Sequence, residues 1–371
     1  MLEDSAKIAG RDAATLSIYF GKEIEPLYDM TDVNGFIDLI EEVDFKTPIK
    51  INDNLTIEYI PSGHIINAAQ IILWITSGNT TKKILYTSDL GNRQIPKYYV
   101  EPFEPVEGAN LVIGETTYGD AKRNAATLTT RKKDLIKMHE IIQNTCLHNR
   151  HKVLIPVFAL DRAQMMLTLL YEMFGEDSGF NIPVIFDSPL GQKHLKSYFN
   201  LIENEEELNL LKKALAWRNV VQVNEWTESK YWSEYQGPCV ILASSGMMQN
   251  GRITTYLPTI LSHWENHILF CGFLSEGSLG WKIKQKDKYI SLNGKHILNQ
   301  CRISSLNSFS SHMQYVDLLD YYSNLNCEKI ALVHGEQNTK IQFMADLQKE
   351  IERKNKNSKV IAVNKSTVIH L

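Results

Sequence analysis

Four stretches of this sequence end on a side chain able to bind a metal or carry a proton. They are Pro61-Ser62-Gly63-His64, Tyr86-Thr87-Ser88-Asp89, Ser308-Phe309-Ser310-Ser311-His312 and Leu332-Val333-His334-Gly335-Glu336. A fifth candidate, Glu115, closes the apolar run Asn110 to Gly114. Taken singly, each has an ordinary reading. His64 and His334 suit turns beside glycine, Asp89 has good turn chemistry, and His312 sits where a helix cap belongs. Glu115 is harder to dismiss, because a carboxylate ending an apolar strand needs a partner. Taken together, they are the side chains of a metal-dependent hydrolase. Imidazole and carboxylate suit zinc, and a bridging carboxylate lets two ions share charge while the pKa of bound water falls.

The elements that must position them follow from periodicity. Leu55 to Ile60 alternates at the strand period, Ile71 to Ile75 reads as a buried strand, and Lys83 to Thr87 and Asn110 to Gly114 as further strands. Before them, residues 1 to about 45 read as helix and loop, with Phe36 to Ile40 a short amphipathic piece. The middle alternates strands with helices. Thr129 to Leu147 and Asp161 to Phe174 are helix candidates, the second with Ala163, Met166, Leu167, Leu170 and Phe174 on one face. Lys152 to Val157, Pro183 to Asp187, Cys239 to Ala243 and Ile268 to Gly272 are strands, which predicts a largely parallel α/β sheet. The end returns to strand and helix, with Ile341, Met344, Leu347 and Ile351 expected on one face of a helix from Asn338 to Lys354.

Composition narrows the function classes. Across 371 residues, 43% are apolar and the net charge is −4, so a nucleic-acid reading must rest on a local site. The basic clusters Arg131-Lys132-Lys133 and His148 to Lys152 read as solvated helix faces. Five scattered cysteines without a C-x-x-C pair read as reduced core thiols, which with the absence of a signal peptide predicts a cytoplasmic protein. No run reaches the ~18 apolar residues of a membrane span. No G-x-S-x-G, G-x-x-x-x-G-K-[ST] or G-x-G-x-x-G occurs, so serine-hydrolase and nucleotide-binding readings have no anchor.

In their order, the stretches from His64 to Glu336 resemble the β-CASP branch of the metallo-β-lactamase fold, the RNA-processing nucleases. Pro61 to Ala69, Tyr86 to Asp89 and Glu115-Thr116-Thr117-Tyr118-Gly119 are similar to its metal and acidic motifs. Ile155 to Gln164, Asp187-Ser188-Pro189-Leu190 and Ala243-Ser244-Ser245-Gly246-Met247 are similar to stretches of its inserted domain, and Ser308 to His312 and Val333 to Glu336 to its two late histidine motifs. The resemblance covers nearly the whole chain. It implies an α/β protein, a metallo-β-lactamase αββα fold with an inserted α/β β-CASP domain. The fold would divide as residues 1–119, the insertion 120–305 and a return over 306–371. It implies two zinc ions, with His64 on one, His334 on the other and Asp89 bridging. Glu115 would hold His312, the general acid, and Arg162, Ser245 and Gly246 would contact single-stranded RNA.

One motif is absent. The family's H-x-H-x-D-H, which supplies most zinc ligands, occurs nowhere among the eleven histidines. The fold is therefore expected to be incomplete at the N-terminus, with a sheet face or edge uncovered. Metal binding by this chain alone is expected to be weak, since His64, Asp89 and His334 give each ion two ligands where about three are usual. Two readings follow. The chain is a ribonuclease sequence whose N-terminal segment is missing or is encoded separately and docks in trans, or it is a non-catalytic RNA-binding scaffold paired with an active homologue; a homo-oligomer is a further candidate assembly. Asp161 and Gln314 stand where the family usually has Gly and Asp, and the second puts support of His312 in question.

Overall fold

A computed structural model describes residues 2–95, 97–123 and 125–370. The chain divides into two compact units, residues 1–47 and 48–371. In the first, the helices Leu2–Phe20 and Met30–Ile37 bury Ala6, Ala13 and Val33. Asp29 caps the second helix by accepting from the Thr31 and Asp32 amides, while the Asp32 carboxylate accepts from the Asp29 amide. The amphipathic piece expected over Phe36 to Ile40 is not one: the helix stops at Ile37, and Phe36, Ile37, Leu39 and Ile40 are exposed.

The second unit carries both large sheets. In chain order the strands are β1 (Ile49–Asn52), β2 (Leu55–Pro61), β3 (Ala69–Ser77), β4 (Thr80–Tyr86) and β5 (Ala109–Glu115). Then come β6 (Lys152–Pro156), β7 (Val184–Asp187), β8 (Val220–Gln222), β9 (Cys239–Ala243) and β10 (His267–Phe270). A hairpin of β11 (Tyr289–Leu292) and β12 (Lys295–Leu298) precedes β13 (Arg302–Ser305), β14 (Cys327–Val333) and β15 (Lys359–Ala362). The first sheet has the order β1-β2-β3-β4-β5-β14-β15 and the second β13-β10-β6-β9-β7-β8. This is a mixed α/β architecture with a wholly parallel sheet between two parts of another, as the resemblance implies.

Strand direction fixes the functional edge. β2 and β3 pair antiparallel, as do β3 and β4, so β2 runs with β4. β4, β5 and β14 are parallel, with Tyr86 opposite Ile113 and Val333 opposite Glu115. All four strands therefore end at one edge, and each is followed by a candidate residue or closes on one.

Alternation along these strands builds the core. Leu85, Val112, Ile330 and Leu332 face the helices Tyr315–Asn324 and Gln337–Arg353, while Ile84, Leu111 and Ala331 face the other way. Within Gln337–Arg353 the buried residues are Phe343, Leu347 and Ile351, four apart, whereas Ile341 is 47% exposed. Spacing alone favoured Ile341; the angle at which the helix lies on the sheet selects Phe343 instead. The strand read at Ile71 to Ile75 is longer and buried only at Gln70 and Ile72, with Ile75 exposed.

In the parallel sheet, β6, β7, β9 and β10 are buried on both faces apart from Lys152, as a sheet covered by helices requires. The helix Arg162–Phe174 is buried on all sides from Arg162 to Leu170 rather than on one face, because it is packed against β9 and against the helix Glu205–Leu215. Arg131 is no solvated cation: its guanidinium lies 4.1 Å from the centre of the Phe309 ring and donates to the Ser308 carbonyl. All five cysteines are free, and four are buried. No helix among the described residues is long and apolar enough to cross a membrane.

Candidate active site

The loops leaving β2 and β4 and the segment before the helix Tyr315–Asn324 cross at Gly91. Its amide donates to the Ser62 carbonyl, the Asn92 amide to that of Ser311, and the Met313 amide to that of Leu90. Gly91 and His312 form an isolated antiparallel bridge. A Cβ on Gly91 would lie 1.8 Å from the Gly63 oxygen, so only glycine lets these backbones meet. Gly63 itself holds φ at +69°, the left-handed region, to turn the chain into His64.

This crossing gathers the side chains. His64 Nε2 is 3.9 Å from Asp89 Oδ2, and His334 Nδ1 is 2.9 Å from Asp89 Oδ1. The His64 and His312 rings are 4.4 Å apart, and those of His312 and His334 6.0 Å. Glu115 is fully buried; its Oε1 accepts from the Leu90 amide at 2.9 Å and lies 3.3 Å from His312 Nδ1, while Oε2 accepts from the Thr117 amide. Ligand atoms of His64, Asp89 and His312 fall within 4.8 Å of one another.

Electrostatics favour a ligand role. Burial, with help from His312 and Lys97, depresses the His64 imidazole to about 3, so the ring is neutral near pH 7 and one nitrogen keeps a free lone pair. The Asp89 hydrogen bond raises His334. Burial pushes against the Asp89 carboxylate, yet the hydrogen bond with His334 and the nearby imidazoles hold it below its usual range. His64 Nδ1 is buried with no hydrogen-bond partner. The other ring nitrogen, Nε2, faces the Asp89 carboxylate, and two imidazoles with a carboxylate within 4.8 Å match the donor preference of zinc.

Further residues support the site, one of them, Lys97, with no signal in the sequence. Lys97 donates to the carbonyls of Gly63, His64 and Ser311, tying the two histidine loops together, and burial lowers it to about 7. Tyr118 donates to Ser310 Oγ at 2.6 Å, and its ring meets the His312 ring edge to face. Gln314 does not touch the His312 ring. Its Nε2 donates to the His312 carbonyl at 2.8 Å and its Oε1 accepts from the Ala126 amide, so it fixes the backbone. Asp161 takes φ +69° and ψ −65°, with the Arg162 amide donating to the Leu160 carbonyl. That is a γ-turn of the strained kind, which explains why glycine is the usual residue there. In return, Asp161 Oδ2 accepts from Ser311 Oγ at 3.0 Å.

His64, Asp89, His312 and His334 open on a cleft of about 1060 Å³ between loops of the two sheets, with Glu115 buried behind them. Of the expected RNA contacts, Arg162 lines this cleft, although it is largely buried and donates to the Cys271 carbonyl. Gly246 lines a small adjoining hollow against the Phe158 ring, and Ser245 lines neither, its hydroxyl donating to the Asn250 carbonyl.

The sequence matches the Beta-Casp domain over residues 163–283 and the Zn-dependent metallo-hydrolase RNA specificity domain over residues 299–361. A ribonuclease of Thermus thermophilus is 29% identical over 324 residues, covering 84% of this chain and 70% of that protein. The endoribonuclease ysh1 of Schizosaccharomyces pombe is 29% identical over 84% of this chain and 40% of its own length. Cleavage and polyadenylation specificity factor 73 of Drosophila melanogaster is 26% identical over 88% of this chain and 46% of its own. The chain belongs to the β-CASP family of metallo-β-lactamase-fold nucleases. It spans less than half the length of these two eukaryotic relatives.

Proposed function

We propose that this protein is an RNA-processing phosphodiesterase acting on single-stranded RNA in the cleft. The observation that carries the reading is the convergence of His64, Asp89, Glu115, His312 and His334 on one sheet edge. His64, Asp89 and His334 would hold zinc, which when bound supplies positive charge at the phosphoryl oxygens and a water acidic enough to attack. Glu115, itself fixed by two backbone amides, engages His312 Nδ1 and so orients the ring. The second nitrogen of that ring is left to protonate the departing ribose oxygen. Thr117 Oγ1, 3.0 Å from His334 Nδ1, shares with Asp89 the work of orienting that imidazole. The relatives act in RNA cleavage by name, which supports the substrate class.

A second reading, a non-catalytic RNA-binding scaffold in the cytoplasm that pairs with an active homologue, is favoured by the donor count. Among the described residues, four side chains at this edge, His64, Asp89, His312 and His334, are placed as donors, where two catalytic zinc ions take about three protein ligands each. Zinc per chain by plasma mass spectrometry, followed by cleavage of a labelled single strand by wild type and His312→Ala, separates the two. Near two equivalents with cleavage lost in the variant supports the enzyme. Under about half an equivalent without cleavage, until a complementing segment or partner is added, supports an incomplete enzyme or a scaffold.

A further inference from the structure

The cleft holds two aromatic rings that the metal-site chemistry does not use. Phe158 follows β6 and is 42% exposed; Phe273 follows β10 and is 38% exposed. β6 and β10 are hydrogen-bonded neighbours, so the loops at their C-terminal ends lie side by side, and both rings border one small hollow together with Pro156, Gly246 and Phe270. Neither ring is loosely placed. A Cβ on Gly246 would meet the Phe158 ring at 2.8 Å, so the bare backbone there is what seats the ring. Phe273 meets Tyr118 at a centroid distance of 6.4 Å, and the Arg123 guanidinium covers Tyr118 at 3.6 Å. Tyr118 in turn touches His312, so the aromatic row runs from the parallel sheet to the candidate general acid.

We propose that Phe158 and Phe273 form a stacking platform for two unpaired nucleobases of the bound strand. This rests on the RNA reading above and deepens it. Exposed aromatic rings set along a cleft fit flat, π-faced ligands. The guanidinium of Arg123, which also lines the cleft, fits a phosphate between them. The balance of charge points the same way. Asp120, Asp161, Glu276 and Glu336 also line the cleft, so phosphate attraction is largely offset and stacking must supply much of the affinity. A duplex hides its base faces, and the platform therefore selects single strands without choosing a sequence.

The test is fluorescence-anisotropy titration of the whole chain with a labelled oligouridylate and with an abasic phosphodiester strand of equal length. Variants are Phe158→Ala, Phe273→Ala, and the aromatic replacements Phe158→Tyr and Phe273→Trp. Wild type should bind the base-bearing strand at least tenfold more tightly than the abasic one. Each alanine should lose on the order of tenfold for the base-bearing strand only, and each aromatic replacement should restore it. Equal binding of both strands, or alanine variants that bind as wild type does, overturns the platform while leaving the RNA reading standing. Failure of wild type to bind either strand overturns both.

Discussion

Replacing Gly91 with alanine tests the central geometric claim, that one backbone crossing assembles the site. The new Cβ would lie 1.8 Å from the Gly63 oxygen, where real contacts stay beyond 3.0 Å, so the chains must part by at least 1.2 Å, the difference of the two. That opening lengthens the Gly91-to-Ser62 hydrogen bond from 2.9 Å to about 4 Å, outside bonding range. Loss of a buried backbone pair costs about 1–3 kcal/mol and overpacking about 1–3 kcal/mol, for a total of about 4 kcal/mol. His64 moves with Gly63 and away from Asp89 and His312, so zinc affinity should fall as well. Urea unfolding followed by tryptophan fluorescence gives the first quantity and competition against a chelating dye the second. Gly10→Ala is the control, since a Cβ there meets nothing within 4 Å inside the helix Leu2–Phe20; it should stabilise by about 0.5–1 kcal/mol. A Gly91→Ala protein within about 1 kcal/mol of wild type and with unchanged zinc affinity would refute the crossing as the assembling element.

Three further outcomes are expected. Asp161→Ala should be less stable than Asp161→Gly by about 1 kcal/mol, because both lose the Ser311 hydrogen bond but only glycine relieves the positive φ; thermal unfolding in the reverse order would exclude strain at this turn. Lys97→Met leaves three carbonyls without their donor and, after credit for removing a buried charge, should cost about 2–4 kcal/mol in chemical denaturation; a neutral result would show that the lysine does not tie the loops. His267, held down to about 4 by burial and then by Arg302, has a folded pKa below the ordinary 6.5, so the unfolded chain takes the proton first as pH falls. Its contribution is present above about pH 6.5 and is lost toward pH 4, up to about 3 kcal/mol, and His267→Asn should flatten the stability profile across that window by this amount.

Much of the site was legible in the sequence, and the reason is local. A histidine or carboxylate placed just after an apolar, strand-period run already states that it stands at a strand end, which holds for His64, Asp89, Glu115 and His334. The largely parallel character expected of the middle sheet was legible in the same way, from apolar runs alternating with helices, and the sheet is parallel throughout. Helix faces were less so, as Phe343 in place of Ile341 shows, because every apolar residue near the stripe satisfies a period of 3.6 and only the packing angle chooses among them. Nothing local marked Lys97, whose ammonium has meaning only where loops 34 and 214 residues away present their carbonyls. The same holds for Asp161 against Ser311, for Gln314 against Ala126, and for Phe158 beside Phe273. The sequence by itself determined which residues end the strands and so which chemistry was available. The tertiary structure alone decided which strand ends share an edge and which loops cross there, because strand order is set by pairings between segments as far apart as Ala109 and Cys327 and leaves no trace in the spacing of either one.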